Sequence, residues 1–265
     1  MISFRDKLAL VTGAASGIGK AIVLELARDG AKLILADRNV EELNKLKEEC
    51  LKSTSFCETL VFDLSSQREV EQAAASVLEK YGHVYLLINN GGISMRSNAI
   101  DTSIDMDRKI MEIDFFSHII LTKALLPAMI KKGEGCIAAT SSLAGKFGFF
   151  QRSTYCAAKH AVQGYFETLR LELEQYGISV TVAFPGSINT NISVNALEKD
   201  GQAHGVMDPA QAKGMSAETC AKHYINAIKK RKPEVLIGGK EFIMWHLKRF
   251  FPALFFRLIR KIKAT

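Results

Sequence analysis

Tyr155 and Lys159 stand four residues apart in a stretch with a helical pattern, so their side chains share one helix face. An ammonium beside a phenol stabilises the phenolate, and such a tyrosine can give a proton to a carbonyl oxygen or take one from an alcohol. Ser142, near the end of the preceding predicted strand, could hydrogen-bond the same oxygen. A Tyr–Lys pair at this spacing also occurs by chance, as a packed tyrosine and a solvated lysine, so its surroundings decide its meaning.

A glycine-rich turn lies between the first predicted strand and the first predicted helix, at residues 12–19. Glycines there permit a tight turn and let backbone N–H groups approach a pyrophosphate at the positive end of the helix. A turn of this kind alone is weak evidence, but its place between a strand and a helix favours nucleotide binding. The residues expected to contact the cofactor here are Gly13, Ser16, Gly17, Ile18 and Gly19.

The end of the second predicted strand carries two charged residues that bear on the choice of cofactor. The carboxylate of Asp37 can accept hydrogen bonds from adenosine ribose hydroxyls and would repel a 2′-phosphate. The guanidinium of Arg38 could pair with a 2′-phosphate, stack on adenine or form a surface ion pair. Because repulsion from Asp37 should outweigh a flexible Arg38, the sequence predicts NAD, with NADP as the alternative.

Short apolar runs alternate with longer helical patterns along the chain. Strands are predicted at residues 7–12, 32–36, 59–62, 84–88, 135–140, 178–184 and 234–237, and helices at 18–28, 40–52, 67–80, 103–131, 154–175 and 217–231. Such βαβ units predict an α/β fold with a Rossmann-like, doubly wound parallel sheet in a three-layer αβα sandwich. We expect residues 1–240 to form one Rossmann-fold domain and residues 241–265 to be a basic, amphipathic helical extension of it.

Composition and charge narrow the class of protein. The 265 residues are 48% apolar and 24% charged, as is ordinary for a soluble globular chain. The net charge is +7, and residues 241–265 carry +5 of it (six Lys or Arg and one Glu), so no nucleic-acid partner is expected. Five scattered cysteines without a C-x-x-C pair predict a reducing compartment and no metal site. Without a signal peptide or a long uncharged apolar stretch, a cytoplasmic location is expected.

Together these motifs resemble the short-chain dehydrogenase/reductase family in its common single-domain form. The resemblance runs in order over about residues 5–190. It also takes in Asp63 after the third predicted strand, Asn89-Asn90-Gly91-Gly92 after the fourth, and Pro185-Gly186-Ser187-Ile188-Asn189-Thr190. It implies an NAD(P)-dependent oxidoreductase that transfers a hydride between a nicotinamide and a secondary alcohol or ketone, with no metal.

The resemblance also assigns roles to individual residues. Tyr155 would be the general acid/base, Ser142 would position the reacting oxygen, and Lys159 would support the tyrosine and hold the nicotinamide ribose. On the cofactor, Asp63 would contact the adenine, Asn89 would support the cleft, and Thr190 would bind the carboxamide, with Pro185, Gly186 and Ile188 beside it. Homo-oligomers are usual in the family, commonly through helices such as those at 103–131 and 154–175.

Two positions depart from the family pattern. Gly91 replaces the usual alanine of the Asn-Asn-Ala-Gly motif, and we expect little effect on the chemistry. Asp114 stands where a fourth catalytic residue, an asparagine, is expected to help hold a water next to the lysine. A carboxylate could keep that water but would place negative charge near Lys159, which predicts a slower or pH-shifted enzyme. The alternative is a catalytically weak or inactive nucleotide-binding sensor or scaffold.

The C-terminal segment combines apolar residues at helical spacing with basic residues. Pro252 is predicted to start a second short helix. The apolar row consists of Ile243, Leu247, Phe250, Leu254, Leu258 and Ile262, and the basic residues include Arg249, Arg257, Lys261 and Lys263. This pattern is typical of a helix lying on an anionic membrane, of a lid over an apolar substrate, or of a docked terminal helix or subunit contact.

The substrate is the least constrained part of the sequence interpretation. Phe147, Phe149 and Phe150 near the predicted site, with the apolar tail, suggest a hydrophobic alcohol or ketone such as a steroid, a retinoid or a fatty derivative. The phenylalanines could equally be core residues. The segment at about 188–215, where family substrate loops lie, is polar and expected to be mobile.

Overall fold

Seven of the apolar runs form parallel strands of one sheet. The computed structural model describes residues 1–260. The strands are β1 (Leu8–Thr12), β2 (Lys32–Asp37), β3 (Cys57–Val61), β4 (Leu86–Asn89), β5 (Gly135–Thr140), β6 (Ile178–Pro185) and β9 (Glu234–Ile237), with β7 (Ile188–Asn189) and β8 (Met215–Ser216) as a separate short pair. Within the described residues the main sheet has the order β3-β2-β1-β4-β5-β6-β9. The strand order reverses between β1 and β4, where doubly wound sheets hold their ligands.

Helices cover both faces of this sheet. They are α1 (Gly17–Arg28), α2 (Val40–Cys50), α3 (Gln67–Tyr81), α4 (Ile104–Met111), α5 (Ser117–Lys132), α6 (Ser153–Leu173), α7 (Pro209–Ala212), α8 (Ala217–Lys229), α9 (Ile243–Phe250) and α10 (Pro252–Ile259). On one face α1, α2 and α8 pack against the sheet, and on the other α3, α5 and α6 do so. The prediction of a Rossmann-like, three-layer sandwich is confirmed.

The boundaries of most elements lie within a residue or two of those expected. β3 starts two residues earlier than predicted, at Cys57, which pairs with Leu33, because the polar Glu58 interrupts the apolar run. The single helix expected at 103–131 contains a π-helical segment, Glu112–Phe116, between α4 and α5. Such π segments add one residue to a turn and often lie at functional sites.

The run Ile104–Lys132 is long and apolar enough to cross a membrane by length and composition alone. Its Leu121, Leu125 and Met129 are nevertheless buried in the hydrophobic core beside the sheet. We therefore assign this run to the core of the fold.

The C-terminal helices pack back onto the sheet layer. Phe242 and Phe255 are buried in the cluster beside α6, and the Phe255 ring meets Phe147 edge-on with centroids 5.2 Å apart. Pro252 begins α10, as predicted. The apolar row divides between the two faces: Ile243, Phe250 and Leu254 are exposed, whereas Leu247 packs against the cluster beside α6. Lys261, Ile262 and Lys263 lie outside the described residues.

Phe255→Ala should lower the free energy of unfolding by about 3 kcal/mol, because it leaves a cavity beside Phe147. Phe256→Ala, at the exposed neighbouring position, should change it by less than about 1 kcal/mol. Urea denaturation of both variants measures the difference. Equal effects would show that α10 does not complete the core.

Candidate active site

The glycine turn after β1 has a backbone that only glycine fits easily. Gly13 and Gly17 have φ of 64° and 52°, in the left-handed region. A Cβ on Gly19 would lie 2.0 Å from the Gly13 carbonyl oxygen, and one on Gly13 would lie 2.7 Å from the Gly91 Cα. The turn is therefore closed tightly against the loop that follows β4.

The amino end of α1 is left open for an anion. Ser16 precedes the helix in an extended conformation, and in the part of the chain that the structure describes no side chain caps this end. Helices α2, α3 and α8 differ, since Asn39, Ser66 and Ser216 cap them and acidic residues fill their first turns. The first N–H groups of a helix lack internal acceptors and attract negative charge. The turn and this helix end thus fit a cofactor pyrophosphate.

The charged residues after β2 and β3 lie together beside this turn. Asp37 accepts a hydrogen bond from the Ala15 N–H through Oδ2 at 3.2 Å. Arg38 is exposed, and its Nη1 lies 3.6 Å from Asp63 Oδ2. Burial alone would raise the pKa of Asp63, but hydrogen bonding from Ser65 and the charge of Arg38 lower it below its usual range. The positive charge of Arg38 is therefore shared with a carboxylate.

Thr12 joins the two strands at the reversal point of the sheet. Its Oγ1 accepts hydrogen bonds from the N–H groups of Asn90 and Gly91, both at 3.0 Å. Asn89 is buried, and its Nδ2 donates to Thr122 Oγ1 on α5 at 2.9 Å. Sequence reasoning placed Asn89 at the cofactor cleft and included Thr12 in the glycine-rich turn, but it assigned Thr12 no role of its own.

The predicted catalytic pair lies at the start of α6. Tyr155 and Lys159 are both buried, and the ammonium lies 5.6 Å from the centroid of the tyrosine ring, so the shared helix face is confirmed. Ser142 follows β5, and its Oγ accepts a hydrogen bond from the Ala144 N–H at 3.1 Å. Ser141 donates to the Lys159 carbonyl at 2.8 Å, which fastens the end of β5 to α6. Ala144, two residues after Ser142, lies in the same buried cluster as Tyr155.

Asp114 forms a buried ion pair with Lys159. The Lys159 Nζ lies 3.2 Å from Asp114 Oδ2 and donates to the Thr140 carbonyl at 3.3 Å. The other carboxylate oxygen, Oδ1, accepts a hydrogen bond from the Ile93 N–H at 2.7 Å. Burial raises the pKa of Asp114, although the Lys159 ammonium opposes this shift. The π segment presents Asp114 directly to the lysine, a contact that the sequence only suggested.

His118 is a buried neighbour of this pair that sequence reasoning missed. Its Nε2 lies 2.8 Å from the Gly91 carbonyl oxygen, so Nε2 carries the proton and donates it. Burial and the positive charge of Lys159 lower the pKa of His118 to about 3, so the imidazole is neutral near pH 7. The Asp-x-x-x-His spacing of residues 114 and 118 was the available signal.

The turn after β6 closes the other side of the cleft. The Gly186 N–H donates to the Ile237 carbonyl at 2.8 Å, and the Ser187 N–H donates to Glu241 Oε1 at 3.1 Å. The Thr190 side chain lies 3.3 Å from the position of a Cβ on Gly17, and so next to the open end of α1. Pro185 ends β6, and Ile188 is buried in the core cluster that contains α1 and α8. Glu241 was not predicted as part of this turn.

The segment at 188–215 is anchored, contrary to the expectation of a mobile polar loop. Its Asp208 is buried in ion pairs with Arg96, which is also buried, and with Arg152, whose Nη2 lies 2.8 Å away. Ser193 Oγ accepts a hydrogen bond from the Asp208 N–H at 3.2 Å. This cluster joins the loop after β4, the start of α6 and the segment after β7. No local sequence pattern predicts this contact, because the three segments are far apart in the chain.

The aromatic residues near the site divide between core and surface. Phe147 is buried, Phe149 is half-buried and Phe150 is exposed. Phe149 packs both against the cluster of Phe147 and against a small cluster around Tyr155. Within residues 1–260, no group of three or more His, Cys, Asp or Glu side chains lies close enough to hold a metal ion, and the cysteines are free and buried.

Comparison with known proteins agrees with this geometry. The family model described as "short chain dehydrogenase" matches residues 7–201. The chain belongs to the short-chain dehydrogenase/reductase family. It is 42% identical over 262 residues to the Bos taurus protein named "Dehydrogenase/reductase SDR family member 7B", covering 96% of this chain and 81% of that protein.

Solved short-chain dehydrogenase/reductase structures share the fold. One from Burkholderia phymatum in complex with NAD has a TM-score of 0.85 at 24% identity, over 96% of each chain. A metagenomic short-chain oxidoreductase in complex with NADP has a TM-score of 0.73 at 26% identity, over 89% of this chain and 98% of that one. The resemblance expected from the motifs is confirmed, and the carboxyl edge of the sheet is the cofactor side of the family fold.

The buried His118 predicts how the stability of this short-chain dehydrogenase/reductase depends on pH. Because its pKa in the folded state is about 3, the unfolded chain binds a proton between pH 6.5 and 3 that the folded chain does not. Its contribution to stability is therefore present above about pH 6.5 and is lost as the pH falls.

His118→Gln should remove this dependence. As the pH falls below 6.5, the free energy of unfolding of the variant should rise relative to that of the parent by up to about 1.4 kcal/mol per pH unit. Urea denaturation at several pH values measures the slope. His223→Gln, at an exposed position, is the control and should follow the parent. A His118 variant that also kept the parental slope would contradict the buried, neutral imidazole.

Proposed function

We propose that this protein is a nicotinamide-dependent oxidoreductase that transfers a hydride between NAD and an apolar secondary alcohol or ketone. The observation that carries the proposal is the buried Lys159 ammonium beside the Tyr155 ring, held on the same edge of the sheet as the open end of α1. A buried ammonium next to a phenol has a chemical use that a solvated surface lysine lacks.

Each residue of the cleft has a task in ketone reduction. The hydroxyls of Ser142 and Tyr155 hold the carbonyl oxygen, and Tyr155 gives that oxygen its proton. Lys159 stabilises the phenolate that remains and also holds the nicotinamide ribose, and Asp114 holds the ammonium in place. The bound cofactor supplies the hydride. In alcohol oxidation the proton returns to Tyr155.

The cofactor is held by residues from several strand ends. The glycine turn, including Gly13, Ser16, Gly17, Ile18 and Gly19, takes the pyrophosphate. Asp37 takes the adenosine ribose, Asp63 lies by the adenine, and Thr190 takes the carboxamide. NAD is preferred because Asp37 would repel a 2′-phosphate, while Arg38 already shares its charge with Asp63. The NAD and NADP complexes of related structures support a nicotinamide cofactor without deciding between the two.

An apolar substrate suits the surroundings of Tyr155. Met95, Ile110 and Cys156 form a buried cluster with the tyrosine, and Phe149 packs against it. Steroid, retinoid and fatty alcohols or ketones have matching character. The enzyme would work in the cytoplasm as a homo-oligomer, with the exposed Phe116 and Leu171 beside or on α5 and α6 as contact residues. Peripheral membrane contact would come from the C-terminal helices.

The second candidate function is a nucleotide-binding sensor or scaffold with little or no catalysis. It is favoured by one observation, the Asp114 carboxylate bound to Lys159 where the family has an asparagine. The Tyr155, Lys159 and Ser142 set argues for the enzyme, since binding alone does not require it.

Tyr155→Phe should reduce turnover by about a thousandfold, because it removes the proton donor and leaves the ring in place. Absorbance of the reduced nicotinamide reports turnover with NAD(H) and NADP(H) in parallel, against a panel of apolar ketones and alcohols. Tyr165→Phe, further along α6, is the matched control and should keep parental activity. If the parent protein bound the cofactor but turned over no substrate, the result would favour the second candidate function, a nucleotide-binding sensor or scaffold.

Asp114→Asn should raise turnover in alcohol oxidation several-fold near pH 7 and move the rising limb of the pH–rate profile about one unit lower. The reason is that the buried negative charge beside Lys159 opposes formation of the Tyr155 phenolate. Glu112→Gln, in the same π segment, controls for loss of a carboxylate. An unchanged or lower rate with an unmoved profile would show that Asp114 does not limit proton transfer.

A further inference from the structure

The C-terminal helices carry a concentrated group of exposed apolar side chains. Between 46% and 66% of each side chain is exposed to solvent in the following residues, which we call the α9–α10 surface: Ile243, Phe250, Phe251, Leu254 and Phe256. Scattered apolar residues are normal on soluble proteins, but contiguous aromatic patches mark contact sites.

Basic residues outnumber acidic ones around this surface, although Glu167 and Glu234 line the same groove as Arg249 and Phe250. Arg249, Arg257 and Arg260 are exposed beside it, and the sequence has no acidic residue from 242 to 260. Glu241, the acidic residue just before, turns inward to the Ser187 N–H. The surroundings of the patch therefore favour an anionic partner.

The exposure is a property of the packed helices. Phe242 and Phe255 are buried on the inner face, and Lys248 Nζ donates to the Lys146 carbonyl at 3.0 Å. With the inner face fixed in this way, the residues of the α9–α10 surface cannot also turn into the core. They stay on the outer face of the two helices, where they are available for a further contact.

We propose that the α9–α10 surface docks on an anionic lipid bilayer. Two short helices that carry exposed phenylalanines and exposed arginines suit the boundary between acyl chains and headgroups. The phenylalanines would enter this boundary while the arginines reach the anionic headgroups. A second copy of the chain fits less well, because a two-fold contact would bring each arginine cluster against its equivalent.

Docking would place the site near apolar molecules, and this consequence rests on the proposed function. Phe255 on α10 contacts Phe147, Phe147 contacts Phe149 with centroids 4.8 Å apart, and Phe149 packs against the cluster of Tyr155. The helices of the docking surface thus belong to the same apolar layer as the wall of the site. An alcohol or ketone dissolved in the bilayer would reach the enzyme from this side.

The first test is sedimentation of the full chain with vesicles of phosphatidylcholine, alone or mixed with phosphatidylserine. The parent protein should bind the mixed vesicles, and Phe250→Glu with Phe251→Glu should weaken binding by more than about tenfold. The matched control is Ile100→Glu with Ile104→Glu, which adds the same charge at exposed apolar positions elsewhere and should bind like the parent.

The second test removes positive charge and keeps the phenylalanines. Arg249→Gln, Arg257→Gln and Arg260→Gln together should weaken binding to the mixed vesicles by about a hundredfold and remove its sensitivity to salt. Arg28→Gln, Arg68→Gln and Arg108→Gln, all exposed and distant in sequence, form the control set.

Turnover of a water-soluble ketone, measured for every variant, separates failures of folding from failures of docking. Docking is overturned if the parent protein does not bind mixed vesicles, or if both sets of surface variants bind as it does. It is also overturned if the parent protein is a dimer that binds no vesicles and the Phe250→Glu, Phe251→Glu variant is a monomer, because the surface would then be a subunit contact. Vesicle binding by a parent protein that turns over no substrate would support docking and reject the proposed enzyme.

Discussion

A buried ammonium requires an opposite charge or hydrogen-bond acceptors beside it, and much of the site is arranged to supply them to Lys159. Removing a charge from water costs several kcal/mol unless opposite charge and hydrogen bonds compensate. Asp114 and the Thr140 carbonyl supply them. The π segment places the Asp114 carboxylate beside Lys159. Glycine at position 92 lets the loop after β4 run close to this ion pair, since a Cβ there would lie 3.1 Å from Asp114 Oδ1 and 3.2 Å from Lys159 Nζ. Local irregularities in two separate segments, the π segment and the loop after β4, therefore accommodate one ion pair.

The parallel sheet explains why the ion pair and the cofactor turn lie together. Every strand of the main sheet runs in the same direction, so all carboxyl ends meet at one edge. Thr12 binds the loop after β4 to the end of β1, and Ser141 binds the end of β5 to α6. These hydrogen bonds fix the distances between the segments that meet at this edge of the sheet. Lys159 and the uncapped end of α1 then become parts of one cleft, although almost 140 residues of chain separate them.

Periodicity and local motifs predicted the sheet, its flanking helices and the residues that lie in short spaced patterns. Tyr155 and Lys159 were found because helical spacing alone places them on one face. The contacts of Thr12, His118 and Glu241 escaped prediction because their partners are backbone groups contributed by distant segments. The same holds for Asp208, whose burial depends on arginines from two other loops. Sequence patterns report burial within an element, whereas hydrogen bonds between elements exist only once the topology has assembled them.

In the C-terminal helices, the amphipathic pattern indicated which residues are apolar but left open which of them pack inward. Phe251 leaves helical geometry and Pro252 begins a second helix, as the sequence predicted. The core then takes Phe242 and Phe255, and apolar residues from the predicted row are left on the outside. A segment that needed only to cover the core would gain nothing from keeping five large apolar residues in water. A second contact made by the same two helices explains why these residues are retained beside arginines.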